Sequence, residues 1–578
     1  MALPCEKFIS ADSFMAACIF CTMRLITLVL VVFICVTTTA AFQITEVYSD
    51  TYLDGDADEY LVISGDGPLS SLEVTDGEGQ ITFPAGAVSS GSITIARDGE
   101  AFYKVNGRYP DYELIGMSPD VPEPVVTGKF QMANQKDELM LKEHGILIQN
   151  LSWPGTFKPR KGQVHVLGPD GIWDKRVFIS GASRFMPVTF SNVTGTAFVS
   201  PDCGRAVFEQ AVSSARREIL VNVYEFTDPE MAGLLCQAFS RGVKVTVLLE
   251  GGPVGGISSE EQTVIAMLCS VGINVRVMAG TGEDHAPFRY DHAKYLVIDG
   301  KDLLLTTENF KEHSFQKAGF AGNRGWGVLV SSPDLCSYFS KVFYSDLNGP
   351  GVTDIQGNRS EIPEYFAEAY KPVFAPLHFN DSSVTPVLAP DTSDLIVSLI
   401  NETRSRLYIE EAYIKHWSHG KRNPYLKSAI DAARRGVEVK ILLDSYYYNI
   451  EEENDNDEIA AEITAIANRE HIPIEARLLD LSGTGLLKLH AKGMIADDSI
   501  LISSINWNEN SPSFNREAGL IIEDPNVAGY FASVFEQDWN AYKKQPLSHE
   551  SGPDIAKIGL AGMIVGMLAI LYLWRHRR

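Results

Sequence analysis

Two short stretches, His292-Ala-Lys294 and His490-Ala-Lys492, carry the residue types best suited to chemistry, and an aspartate follows each lysine by five positions, at Asp299 and Asp497. The pattern H-x-K-x4-D therefore occurs twice. An imidazole is a nucleophile when neutral and a proton donor when charged, and both forms are accessible near neutral pH. A phosphodiester demands both, because its anionic phosphorus must be attacked against repulsion and its leaving alkoxide needs a proton. Two histidines on opposite sides of one phosphorus divide that work. Residues two apart on a strand share a face, so Lys294 and Lys492 are expected beside their histidines. There they would neutralise the trigonal-bipyramidal transition state, a task often given to a metal ion. The reading calls for no metal and no cofactor. Asp299 and Asp497 lie past the strand and read as ion-pair or hydrogen-bond partners rather than proton carriers.

The elements that must position these residues are themselves repeated. Phe198-Val-Ser-Pro-Asp202 recurs as Val387-Leu-Ala-Pro-Asp391. Each precedes residues at helical spacing, Val207, Phe208, Ala211, Val212 and Ala215 in one copy and Leu395, Ile396, Leu399 and Ile400 in the other. A short apolar strand is expected next, Ile219–Val223 and Leu407–Ile409. Arg241-Gly-Val-Lys-Val-Thr-Val-Leu-Leu-Glu250 then matches Arg435-Gly-Val-Glu-Val-Lys-Ile-Leu-Leu-Asp444. In each, a glycine (Gly242, Gly436) stops a helix and a β-branched strand ends on an acid. The internal repeat predicts two α/β domains, 196–350 and 383–545, joined by a Pro-rich linker over 351–382.

Paired motifs inside paired repeats resemble the phospholipase D superfamily in its two-repeat form, and the resemblance covers both α/β domains. It implies two pseudo-symmetric α/β/α domains, no cofactor, and a phosphohistidine formed by His292 with His490 as acid and then base. The family's Gly/Ser-Ser-x-Asn element is matched by Ser503-Ser504-Ile505-Asn506 and, less closely, by Thr306-Thr307-Glu308-Asn309. This implies Asn309 and Asn506 as phosphate-oxygen donors, with the Thr307 and Ser504 hydroxyls beside them. Asn515-Arg-Glu-Ala-Gly519 matches the family element whose acid orients an imidazole, so Glu517 is expected to hold His490. In the first copy, Asn323-Arg-Gly-Trp-Gly327 has Gly325 where that acid belongs, so His292 is expected to have either another orienter or a weaker role. Because the two repeats pair within one chain, no obligate oligomer is expected.

Residues 42–195 read differently, as short alternating strands (Tyr60–Ile63, Gln80–Phe83, Ser92–Ala96, Glu138–Leu141, Gln163–Val166) punctuated by Gly, Pro and Asp. That pattern predicts an all-β sandwich. With Ile44-Thr-Glu-Val47, Asp76-Gly-Glu-Gly79 and Ala133-Asn-Gln-Lys-Asp-Glu-Leu139, the segment resembles a lamin-tail-type immunoglobulin-like domain, which implies binding or spacing rather than catalysis.

Both ends are apolar. Met23-Arg24, the run Leu25–Val36 and the small residues Thr37–Ala41 read as a secretory leader over 1–41. An uncharged stretch from Ile558 to Trp574, followed by Arg575-His-Arg-Arg578, predicts a single span over 555–575 with a basic cytoplasmic tail. The catalytic body would then lie outside the cell membrane. A net charge of −25 weighs against a nonspecific polynucleotide binder. Phospholipid at a membrane surface is accordingly the expected substrate; nucleic acid is the alternative, and a catalytically weakened cell-surface binding protein a third reading. Cys203, Cys236, Cys269 and Cys336 allow two disulfides or four free thiols. Asn150, Asn192, Asn358, Asn380 and Asn401 stand in glycosylation sequons. The run Glu451–Glu458 lacks a calcium-loop spacing and reads as a solvated charge run. No Walker loop, dinucleotide fingerprint or Gly-x-Ser-x-Gly elbow occurs, which leaves nucleotide-driven and serine-hydrolase chemistry without support.

Overall fold

The computed structural model describes residues 42–541, apart from 52, 117, 160, 169–170, 174–177, 280–285, 362–367, 418–420 and 452–454. The leader over 1–41 and the span over 555–575 lie outside the described residues. Among the described residues, no helix is long and apolar enough to cross a membrane.

The first unit, up to Arg184, is β-rich. Six strands form one sheet and five form another, and all five strands expected from alternation are present. Alternation works here because each sheet turns one face inward. Ile44, Leu61, Ile63 and Ile93 from the first sheet meet Leu72, Val74, Ile81, Leu139 and Leu141 from the second in one buried core. One helix, Gly99–Asn106, was not expected from the sequence. Asp98 caps it by accepting from the backbone of Glu100 and Ala101.

The second unit contains both repeats, joined in one long sheet. At its centre the strands Phe190–Ser200 and Leu377–Ala389 pair antiparallel. Outward from each, the same order repeats. In the first copy it runs Asn323–Ser331, Asp302–Thr306, Lys294–Ile298, Glu218–Val223, Lys244–Glu250, Asn274–Met278. In the second it runs Glu517–Glu523, Ser499–Ser503, Lys492–Ala496, Arg406–Glu411, Glu438–Leu443, Ile474–Leu478. The last three strands of each series are parallel and connected through helices, which explains their nearly continuous apolar character.

Helix boundaries follow local chemistry. Asp228, Ser258, Asn423 and Asp524 each accept from backbone N–H groups at a helix start. Gly242 and Gly436 adopt φ of +92° and +95° just past their helices, the left-handed geometry expected of them. Helix Gly204–Ser214 buries Val207, Phe208, Ala211 and Val212 against the first half of the sheet, and helix Leu395–Glu402 buries Ile396 and Ile400 against the second. Cys203, Cys236, Cys269 and Cys336 are free thiols, so the disulfide alternative is not realised.

Candidate active site

Each motif histidine sits just before a strand rather than on it, since the strands begin at Lys294 and Lys492. What holds each histidine is the opposite repeat. The backbone N–H of His292 donates to the carbonyl of Arg516 at 2.8 Å, and that of His490 donates to Arg324 at 2.9 Å. One residue earlier, an acid supplies a second fixing point. Glu250 accepts from the Asp291 N–H at 2.6 Å, and Asp444 accepts from the Leu489 N–H at 2.9 Å. These are the two acids that end the matched strands; their place in the repeat was legible, their task was not.

The side chains cross between repeats as well. His292 Nδ1 lies 2.8 Å from Glu517 Oε2, and His490 Nδ1 lies 3.0 Å from Glu308 Oε1. The expectation that Glu517 holds His490 is therefore corrected: Glu517 holds His292. The structure places the strand beginning at Glu517 beside the first histidine, because Arg516 bridges to Asp291. The acid that reaches His490, Glu308, went unrecognised in the sequence because it occupies the variable position of the Thr-Thr-Glu-Asn element. In each pair a carboxylate accepting from Nδ1–H fixes the tautomer and leaves Nε2 to react.

The lysines lie beside the histidines, each donating to the carbonyl of its own histidine at 2.7 Å. Both are fully buried. Burial pushes Lys294 down to about 8 against the pull of Glu517 and Glu225. Burial likewise pushes Lys492 down to about 7 despite Glu308. His490 is held well below its ordinary range by burial, then by the ammonium groups of Lys492, Lys488 and Lys294. His292 is lowered by burial, with Glu517 opposing and Lys294 reinforcing the fall. An anion held between these groups would raise all four.

Asp299 and Asp497 do not join the site. Each sits in a left-handed turn, φ +55° and +52°, at the far end of its strand. Asp299 accepts from the backbone N–H groups of Arg216, Arg217 and Glu218 at 2.9, 2.7 and 3.0 Å. Asp497 accepts from Arg404, Ser405 and Arg406 at 2.8, 2.9 and 3.0 Å. Burial draws both carboxyls up, but these three donors outweigh it and hold them below the usual carboxylate range. They are the structural partners expected of them.

The hydroxyls expected beside the phosphate are a second correction. Thr307 Oγ1 accepts from the Trp326 N–H at 3.1 Å, and Ser504 Oγ both accepts from the Ala518 N–H at 3.0 Å and donates to its carbonyl. Both residues are wholly buried and pin adjacent strands together, and the Ser504 hydroxyl commits its proton to the Ala518 carbonyl. Asn309 donates to Glu225 Oε2 at 3.0 Å, and Asn506 receives no such acid but anchors through its N–H to Ser511 Oγ at 2.9 Å. Both asparagine Oδ1 atoms are buried without a hydrogen-bond partner among the described residues. Tyr224, also missed in the sequence, stands edge-on to the His292 ring at 4.7 Å, and its hydroxyl accepts from the Val254 N–H. Among the described residues, no group of three or more His, Cys, Asp or Glu is arranged to hold a metal ion.

A family model described as "Cardiolipin synthase, PLD-like domain" matches the chain twice, over residues 208–347 and 396–539. The chain belongs to the phospholipase D superfamily, in its two-repeat form. The two matches in this superfamily member take in every crossed contact described above. No curated protein is significantly similar to the chain. Among solved structures, the phosphatidylserine synthase of Haemophilus influenzae Rd KW20 is 14% identical, with 65% of this chain and 94% of that one covered and a TM-score of 0.45. Nuc from Salmonella typhimurium, a phospholipase D family member, is 22% identical, with 30% of this chain and 100% of that one covered and a TM-score of 0.24. NucT from Helicobacter pylori is 18% identical over 29% of this chain and 99% of its own, with a TM-score of 0.23.

Proposed function

We propose that this chain is a membrane-tethered phosphodiesterase or phosphatidyltransferase that acts on phospholipids through a phosphohistidine. The observation that carries the reading is the pair of crossed histidine–glutamate contacts, His292–Glu517 and His490–Glu308, with Lys294 and Lys492 beside them. In this scheme, the Nε2 lone pair of His292 attacks phosphorus while the alkoxide leaves on the opposite side. His490, protonated in the bound complex, gives that alkoxide its Nε2 proton. Water or an acceptor alcohol then surrenders a proton to His490 and attacks, which restores His292 and releases the product. The two lysines stabilise the charge on the equatorial oxygens. The apolar run from Ile558 to Trp574 supports a tether that keeps such a cleft near lipid headgroups.

A metal-independent extracellular nuclease is the second reading, favoured by one feature. Tyr447 and Tyr448 are exposed, and Tyr448 accepts from Lys488, two residues before His490. Tyrosines beside a basic group suit stacked bases as well as a lipid interface.

The test uses the full chain in detergent. Acid quenching during turnover should trap a labelled phosphoenzyme on wild type and on His490→Ala, and none on His292→Ala. Trapping on His292→Ala alone would exchange the two roles. Headgroup release from phospholipid vesicles, absent in His490→Ala, supports the lipid reading; cleavage of single-stranded DNA with inert vesicles would replace it with the nuclease.

A further inference from the structure

The two orienting acids come from positions that do not correspond in the repeat. Glu517 begins a strand, and its counterpart in the first copy is Gly325. Glu308 lies in the turn after Asp302–Thr306, and its counterpart in the second copy is Ile505. Their surroundings nevertheless match. Glu517 accepts from Asn515 Nδ2 at 3.1 Å and from the Ser511 hydroxyl. Glu308 accepts from Asn323 Nδ2 at 3.2 Å, and that amide also donates to Ser314 Oγ at 3.3 Å. Asn323 is the repeat counterpart of Asn515, and Ser314, five residues after Asn309, is that of Ser511, five after Asn506.

Space completes the exchange. A Cβ on Gly325 would come within 2.3 Å of Glu308 Cγ and 2.6 Å of Glu308 Oε1. A side chain at 325 and the Glu308 carboxylate are thus mutually exclusive. We infer that Glu308 is the positioning residue for His490, an acid moved from strand to turn within the same binding pocket, and that Gly325 is the space that admits it. The first copy has kept its orienter and changed where the chain supplies it. The assignment rests on the proposed chemistry, in which His490 carries the leaving-group proton. The groups facing His490 are Glu308, Lys492, Lys488, Lys294 and His292, and Glu308 is the one anion among them.

The rival role for Glu308 is a buried counter-ion for Lys492 that does nothing to the imidazole. A swap separates them, with Glu308→Ala, Gly325→Glu and the double variant made in the full chain. The probe is bis(4-nitrophenyl) phosphate, and selective 15N-histidine labelling reads the His490 ring, assigned by its loss in His490→Gln. Glu308→Ala should lower kcat by about 10- to 100-fold with KM little changed. The alkaline limb of kcat should move to lower pH, since an imidazolium without its carboxylate loses its proton sooner. The Nδ1–H tautomer signal should disappear. Gly325→Glu in the Glu308→Ala background should restore kcat to within about tenfold of wild type and bring the tautomer signal back. If Glu308→Ala does not fold, Glu308→Met carries the same readouts, filling the space with a side chain that offers the imidazole no oxygen acceptor.

An unchanged His490 tautomer in the folded Glu308 variants overturns the assignment whatever the activity. So does a double variant that regains thermal stability without regaining tautomer or rate. A wild type inert toward the diester, with the tautomer still lost in Glu308→Ala, sinks the phosphodiesterase reading and leaves Glu308 as the orienter.

Discussion

At the residue scale, the site concentrates four cationic or protonatable groups in a buried space. Lys294 at about 8 and Lys492 at about 7 are partly neutral in mildly alkaline solution, and the histidines are neutral. An anionic diester favours the charged form of each, so binding must take up protons wherever the empty site has lost them. Calorimetry of dimethyl phosphate binding at pH 8, in buffers of differing ionisation enthalpy, should show net uptake of at least about one proton. The uptake should shrink in Lys492→Met, and the lysines' share of it should vanish below about pH 6, where both are already charged and only the histidines still gain protons. No uptake at pH 8 would mean that the lysines are not the anion's partners.

At the element scale, each H-x-K strand is tied at both ends, and the two ends do different work. Before the histidine, Glu250 and Asp444 clamp the backbone. Past the strand, Asp299 and Asp497 gather three N–H groups at the start of the neighbouring strand. Asp299→Ala should therefore cost about 1–3 kcal/mol of stability, read by denaturant unfolding, with kcat per folded molecule within about threefold of wild type. Both folded carboxyls sit below their unfolded values, so this contribution is full above the unfolded carboxylate range and is lost as pH falls through the folded one. A large fall in kcat at unchanged stability would instead make the aspartate part of the chemistry. Strands, helices and glycine stops were readable because each follows from local periodicity and backbone geometry. The helix Gly99–Asn106 escaped because it is only about two turns long and its β-rich surroundings set the expectation.

At the scale of the whole second unit, the two repeats are interlocked by charge. Arg324 pairs with Asp202 of its own repeat at 2.7 Å and with Asp538 of the other at 2.6 Å. Arg516 pairs with Asp346 of the first repeat at 2.9 Å and lies 3.6 Å from Asp391 of its own. Both arginines are fully buried, and their carbonyls are the ones that hold His490 and His292. Removing one partner leaves buried charge uncompensated, so Arg324→Met should destabilise by about 3–5 kcal/mol. The same change should disturb His490 first, seen as lost phosphodiester turnover before global unfolding in a denaturant titration. Trp326 adds an apolar key: a Cβ on Gly493, in the other repeat's H-x-K-G segment, would come within 2.1 Å of its ring.

The amino-acid sequence by itself determined the superfamily, the twofold repeat, the run of elements in each copy and the structural place of the two aspartates. All of these are written in residue type and spacing along the chain. Tertiary structure alone decided which acid serves which histidine, where the hydroxyls of Thr307 and Ser504 turn, and that Glu308 fills the place left by Gly325. The physical reason is the pseudo-twofold pairing of the repeats. It sets each histidine against the opposite copy, so contacts made across the pair at 2.8 and 3.0 Å join residues 225 and 182 positions apart. Reading each copy by itself assigns Glu517 to His490, in the same repeat; only the packed fold turns that acid toward His292.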